Sequence, residues 1–185
     1  VHAWILESGL DGVIDVGNAI VNMYGKCGCA KSAWVVFNAL REHDIFSWNS
    51  LLAVYAQHGL GEEVLHLVGT MEAEHVRPDK VTLSIVLTAC SHGGFIHEGY
   101  KFFMGMSEGY YIDLQPCEDH FLCVIDLLGR AGLVDVARHY MIHYLPFQPT
   151  PLAYTMLLAA CQLYDVDWMA QEDFFLPKCI IELDP

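Results

Sequence analysis

Apolar and polar positions alternate in two helical bursts between Asp44 and Asp79, a stretch that reads DIFSWNSLLAVYAQHGLGEEVLHLVGTMEAEHVRPD. The first burst predicts a short apolar helix from Trp48 to Ala56. Gly59 and Gly61 break it, and a second helix follows from Glu62 to about Glu74. Pro78 closes the unit, because proline cannot continue a helix and keeps the residue before it extended. The unit Ile45 to Asp79 is 35 residues long, which is the length range of helical-pair repeats.

The same pattern recurs along the chain when each unit is aligned on its turn. Asn18 to Gly28, Asn49 to Gly59, Ser84 to Gly94, Leu122 to Gly132 and Thr155 to Asp165 are all separated by 10 positions. Five residues past each turn stands a small or apolar residue: Ala33, Val64, Gly99, Ala137 and Ala170. Nine past it stand Phe37, Val68, Phe103, Met141 and Phe174, and twelve past it Leu40, Met71, Met106, Tyr144 and Pro177. Unit-to-unit offsets are 31, 35, 38 and 33 residues. One helix pair cannot bury its apolar face alone, whereas stacked neighbours can. Small residues then mark close approach between helices, and large ones fill the gaps.

This periodicity divides the chain into 1–13, the end of an earlier unit, then 14–44, 45–79, 80–117, 118–150 and a final helical pair at 151–185. Within these, helices are predicted at Gly17–Lys26, Ala30–Leu40, Lys80–Ser91, Phe95–Met106, Asp119–Arg130, Val134–Tyr144, Leu152–Leu163 and Asp167 to about Glu182, with Pro177 kinking or splitting the last. Val1 to Leu6 reads as the end of a helix whose partner lies upstream. Neither end resembles a capping unit, so the chain reads as a piece of a longer array, with any targeting peptide further upstream.

Composition narrows the class. Of 185 residues, 54% are hydrophobic and 17% charged, enough for a packed core and against disorder. No stretch of 18 apolar residues free of charge occurs, which argues against a membrane span. Seven scattered cysteines, an odd number without a CxxC, fit a reducing compartment better than a disulfide scaffold. Cys90 and Cys161 share one repeat register and read as small buried residues. The formal net charge of −14 disfavours non-specific nucleic-acid binding, whose main term is phosphate neutralisation.

Candidate chemistry is sparse. Cys117, His120 and Cys123 share a helical face at spacings of three, but a fourth metal ligand is missing. His139 and His143 lack the glutamate of a zinc hydrolase helix and read as surface histidines. Glu62–Glu63 and Glu118–Asp119 begin helices, where carboxylates complement the dipole. A third acidic pair is Glu172–Asp173.

Several stretches together resemble plant pentatricopeptide repeat proteins of the subclass that alternates long, short and standard repeats. They are VGNAIVNMYGKCG, REHDIFSWNSLLAVYAQHG, VRPDKVTLSIVLTACSHGG, IDLLGRAG and the closing IIELDP. The run from Leu152 onward resembles the extension motif that follows the last repeats in that subclass. The resemblance implies an all-α fold, a right-handed α-solenoid of helix-turn-helix repeats. It also implies binding of single-stranded RNA, one base per repeat, in a mitochondrion or chloroplast, with site selection for C-to-U editing. Editing-factor proteins or a deaminase acting in trans are then the expected partners; no membrane, DNA or cofactor is called for.

The resemblance places base reading on Asn18 with Asp44 and on Asn49 with Asp79. Two side chains so placed can bond the Watson–Crick edge of an unstacked base. An Asn–Asp pair favours uridine in the family, so two neighbouring U positions are expected. Ser84 with Cys117, and Leu122 with Thr150, are not clean pairs and receive no base. Lys26 and Arg130, two before their turns, are expected to meet phosphate; the plainer reading is a cation complementing a helix C-terminus, worth about 0.3–1 kcal/mol. The residue that wedges between bases is expected at Val16, Ser47, Thr82 and His120, of which only Val16 is aliphatic.

The chain does not contain the elements of a zinc deaminase. No H-x-E occurs, and Pro116–Cys117 begins a P-C-x-x-C element in which His120 stands where cysteine is needed. No catalysis is therefore expected of these 185 residues. Two other readings stay open: a protein-interaction scaffold of the tetratricopeptide kind, and an unused gene fragment in which Trp34, Trp168 and Phe174–Phe175 are drift.

Overall fold

The computed structural model describes residues 13–111 and 114–166, and all regular structure among them is helical. The helices are α1 (Ile14–Lys26), α2 (Ala30–Ala39), α3 (Ile45–Gln57), α4 (Gly61–Ala73), α5 (Lys80–Gly93), α6 (Ile96–Ser107), α7 (Glu118–Arg130), α8 (Val134–His143) and α9 (Pro151–Tyr164). They match the expected helices within a few residues. Gly61 opens α4 rather than lying in the break. The expected helices at residues 1–6 and 167–182, and the positions Ala170, Phe174 and Pro177, lie outside the described residues. None of the described helices is long and apolar enough to cross a membrane.

Every first helix ends in the same turn. Gly28, Gly59, Gly94 and Gly132 have φ between 70° and 77°, and Asp165 takes φ 53° at the fifth turn. The residue after each donates its N–H to the carbonyl five back: Cys29 to Tyr24, Leu60 to Tyr55, Phe95 to Cys90, Leu133 to Leu128 and Val166 to Cys161, at 2.9–3.1 Å. This left-handed cap satisfies a carbonyl the helix end would leave bare. Asp replaces Gly at the last turn because a short polar side chain tolerates the left-handed region.

The chain forms two compact units, residues 1–89 and 90–185, with the boundary inside α5. In the first, α1 packs on α2 and α3, α2 on α3, and α3 on α4. Ala33, Phe37, Leu40, Val64, Val68 and Met71, picked out by register, are all buried. Trp48 is completely buried and meets Phe37 edge-on at 4.8 Å. His43 stacks flat on Phe37 at 4.0 Å, and its Nε2 lies 3.0 Å from the Phe37 carbonyl oxygen. In the second unit, α6 packs on α7, and α7, α8 and α9 pack on one another. Gly99 sits where a Cβ would come within 2.7 Å of Leu127 and 3.1 Å of Cys90, as expected of a close-approach position.

Tyr144 departs from its register: it is 55% exposed, not core. It follows the last residue of α8 and stacks on Tyr140 at 5.8 Å. Cys90 and Cys161 are buried, as expected.

Two glycine substitutions should act with opposite sign. Gly59→Ala places a Cβ at φ 70° and should destabilise the chain by about 1–2 kcal/mol. Gly69→Ala lies inside α4 with nothing within 4 Å of the added carbon, and should stabilise by up to about 1 kcal/mol. Urea unfolding of both variants checks the pair.

Candidate nucleic-acid interface

A helix begins with N–H groups that have no partner within it. Asp44 meets this need for α3: its Oδ1 accepts from the Ser47 N–H at 2.8 Å and the Ser47 hydroxyl at 2.9 Å. Asp79 does the same for α5, accepting from the Thr82 N–H at 2.8 Å, while Thr82 Oγ1 accepts from the Asp79 N–H at 3.1 Å. The two aspartates expected to read bases are therefore the caps of the following helices.

The second pair is joined. Asn49 Nδ2 donates to Asp79 Oδ1 at 3.1 Å, although the residues are 30 positions apart in sequence. The Thr82 hydroxyl lies 2.7 Å from Asn49 Oδ1 and 2.9 Å from Asp79 Oδ1, and donates into that pair of oxygens. Asn49 and Asp79 are half-buried, so the polar cluster borders solvent. Burial alone would raise the Asp79 carboxyl pKa. Hydrogen bonds from the Thr82 backbone, Asn49, the Thr82 hydroxyl and the Val81 backbone outweigh it and hold the group below 3.8.

The first pair is not joined. Asn18 is 8% exposed and its Oδ1 has no hydrogen-bond partner. The Ser47 hydroxyl is committed to Asp44.

Ser47, Thr82 and His120 are fully buried, not wedges. Each is the third residue of its helix and turns back to the cap; at α7 the Cys117 N–H donates to His120 Nδ1 at 3.0 Å. Val16, at the same place in α1, is half-buried. The apolar side chains that do face outward are one residue earlier: Phe46, 70% exposed, and Val81, 55% exposed. The signal for them was present in sequence as the second residue after each capping aspartate.

Lys26 is exposed in the last turn of α1, with no ion pair among the described residues. Arg130 is exposed too, but its Nε donates to Asp126 Oδ2 at 2.8 Å, and Asp126 also accepts from the Ser91 hydroxyl at 2.5 Å. Arg130 borders a cavity of about 360 Å³ together with Thr155, Met156, Ala159 and Leu163. Leu122 is buried, and the Thr150 hydroxyl accepts from the Ala153 N–H to cap α9, so neither forms a reading pair. Cys117 Sγ lies 3.2 Å from His120 Nδ1, a contact within the cap. Among the described residues no group of three or more His, Cys, Asp or Glu is arranged to hold a metal ion.

Residues 43–92 match the PPR repeat family, and residues 18–45 and 81–109 match the PPR repeat. The pentatricopeptide repeat-containing protein At2g13600 of Arabidopsis thaliana is 39% identical over 88% of this chain and 23% of its own length. Another, At3g29230, is 37% identical over the whole chain and 30% of its own length. A third, At3g49170, named chloroplastic, is 35% identical over the whole chain and 21% of its own length. The chain thus spans under a third of the length of these relatives. In fold it is similar to the crystal structure of PPR10 from maize, with a TM-score of 0.68 and 22% identity over 80% of this chain and 22% of that one. It is likewise similar to PPR10 in complex with an 18-nt psaJ RNA element, with a TM-score of 0.74 and 17% identity over 92% of this chain and 25% of that one.

The depressed Asp79 pKa has a consequence for stability. Its contribution is fully present above 3.8 and is lost as the pH falls through the lower folded value. Asp79→Asn keeps a capping side chain without the titrating group. The drop in unfolding free energy between pH 7 and about pH 3 should be smaller in that variant than in the native chain, measured by urea titration at both pH values.

Proposed function

We propose that this chain, which belongs with the plant pentatricopeptide repeat proteins, binds single-stranded RNA and reads two adjacent bases with Asn18–Asp44 and Asn49–Asp79. The observation that carries the reading is the bonded Asn49–Asp79 pair at the solvent border, with Phe46 exposed one turn from Asn49. The second N–H of Asn49 is a donor, and the Asp79 carboxylate is an acceptor only. The edge of uracil carries one N–H flanked by two carbonyls, so it meets a donor–acceptor pair in either order. Cytosine and adenine meet it in one order alone. Phe46 and Val81 supply apolar faces for base stacking, a term worth about 1–3 kcal/mol per base on aromatic platforms.

Lys26 is the phosphate contact of the first repeat; Arg130 serves the same end only through the part of its guanidinium that Asp126 leaves. The alternation of repeat lengths and the run from Leu152 support a member of the long-short-standard subclass with an extension motif. In that setting the chain selects sites for C-to-U editing in an organelle, and the deaminase lies elsewhere in the protein or in a partner. The relative named chloroplastic supports an organellar location. A second reading, a protein-interaction scaffold, is favoured by the net charge of −14 and by the exposed Leu152, Leu158 and Leu163 of α9.

The test is binding to a short single-stranded RNA carrying U-U against the same RNA carrying A-A, at low and moderate salt. The native chain should prefer U-U by about tenfold or more, and Asn18→Ala/Asn49→Ala should lose the preference. Equal binding of the two RNAs, or no binding by a folded sample, overturns the base-reading roles and favours the scaffold.

A further inference from the structure

The two Asn–Asp pairs are alike in sequence and unlike in space. In the second, the Thr82 oxygen already accepts from the Asp79 N–H, so its proton is turned toward Asn49 Oδ1 and Asp79 Oδ1. A donor there selects the oxygen end of the Asn49 amide, and the Asp79 carboxylate selects the nitrogen end. Both neighbours favour the same orientation. Turning the amide over would set its oxygen against a carboxylate. In the first pair, Ser47 spends its hydroxyl on Asp44, and the Asn18 amide oxygen is buried with no partner, so no hydrogen bond to that oxygen selects its orientation. Threonine is also stiffer than serine about its first side-chain torsion, which holds the Thr82 hydroxyl in place.

We propose that Thr82, supplied by the helix after the pair, is a positioning residue that fixes the Asn49 amide and so sets how strictly the Asn49–Asp79 pair discriminates, while Asn18–Asp44 reads permissively. The role rests on the RNA-binding reading above. It makes identical Asn–Asp pairs unequal according to the hydroxyl behind them. Strictness follows because a base that mismatches a fixed amide leaves polar groups unpaired, whereas a free amide turns over to meet it.

The test uses the native chain and RNAs in which each of the two U positions is replaced singly by C, A or G. The native chain should discriminate more strongly at the Asn49 base than at the Asn18 base. Thr82→Val keeps the branched shape and removes the hydroxyl. It should reduce the U-over-C ratio at the Asn49 base by about threefold to tenfold and leave the ratio at the Asn18 base unchanged. Thr82→Ser should restore most of the loss. Ser47→Thr, which removes no polar group, should raise the ratio at the Asn18 base and covers the case in which Thr82→Val folds poorly. Loss of affinity for all RNAs alike in Thr82→Val, or an unchanged ratio at the Asn49 base, marks Thr82 as structural only and overturns the role while leaving the RNA reading intact. A native chain without base preference at either position overturns the RNA reading, and the Thr82 role with it.

Discussion

The start of a helix needs an acceptor, and in this chain an aspartate supplies it at α3 and α5. That requirement places the carboxylates of Asp44 and Asp79. Capping fixes Asp79 against the first turn of α5, and packing of the first helices puts Asn49 of α3 within 3.1 Å of it. A polar pair at the solvent border is thus a by-product of ending one repeat and beginning the next. Once capping has set the carboxylate, little further structure is needed to turn a junction between repeats into a recognition element.

The second constraint is repetition of one turn. A left-handed residue at the end of each first helix lets the chain reverse in two residues, and the same hydrogen bond then recurs from Cys29–Tyr24 to Val166–Cys161. Identical turns give identical starts for the second helices, so positions five and nine past the turn fall on buried faces in each of the four pairs described. Among the described residues the register fails at position twelve only at Tyr144; Leu40, which follows a helix of the same length, is buried. Periodicity in the sequence is therefore a direct image of the turn geometry.

That is why the helices and the core were legible from sequence. Turn glycines and their spacing are local signals, and burial at fixed offsets follows from them. The outward-facing apolar residues were misplaced by one position, for a local reason as well. Ser47, Thr82 and His120 are third residues of helices and fold back to the cap, while the second residue, one helical step of about 100° away, faces outward. A serine or threonine three past an aspartate signals a capping box, and weighting that signal would have moved the outward-facing position to Phe46 and Val81. The difference between the two Asn–Asp pairs was not legible. It depends on which of two oxygens a hydroxyl reaches, a matter of side-chain torsion. The pairing of Arg130 with Asp126 was open to inspection as an i, i+4 pair on α7, since oppositely charged residues at that spacing meet on a helix.

Charge gives the RNA reading its particular character. A chain of net charge −14 gains little from counterion release, the term that makes basic proteins bind any nucleic acid. Beyond the roughly 8–10 Å Debye length of physiological salt the protein's charge is screened, so its repulsion bears mainly on the bound contact, where phosphates come within that distance. On the proposed reading, what holds RNA is short-range: stacking on Phe46 and Val81, hydrogen bonds to the two Asn–Asp pairs, and a single cation per phosphate at most. Short-range terms are the ones that depend on which base is present. On that reading an acidic repeat array trades affinity for selectivity, binding feebly to the wrong sequence because the sequence-independent attraction is missing. With RNA as the ligand, the acidic balance therefore calls for a reader that works with neighbouring repeats, each adding a small, base-dependent increment.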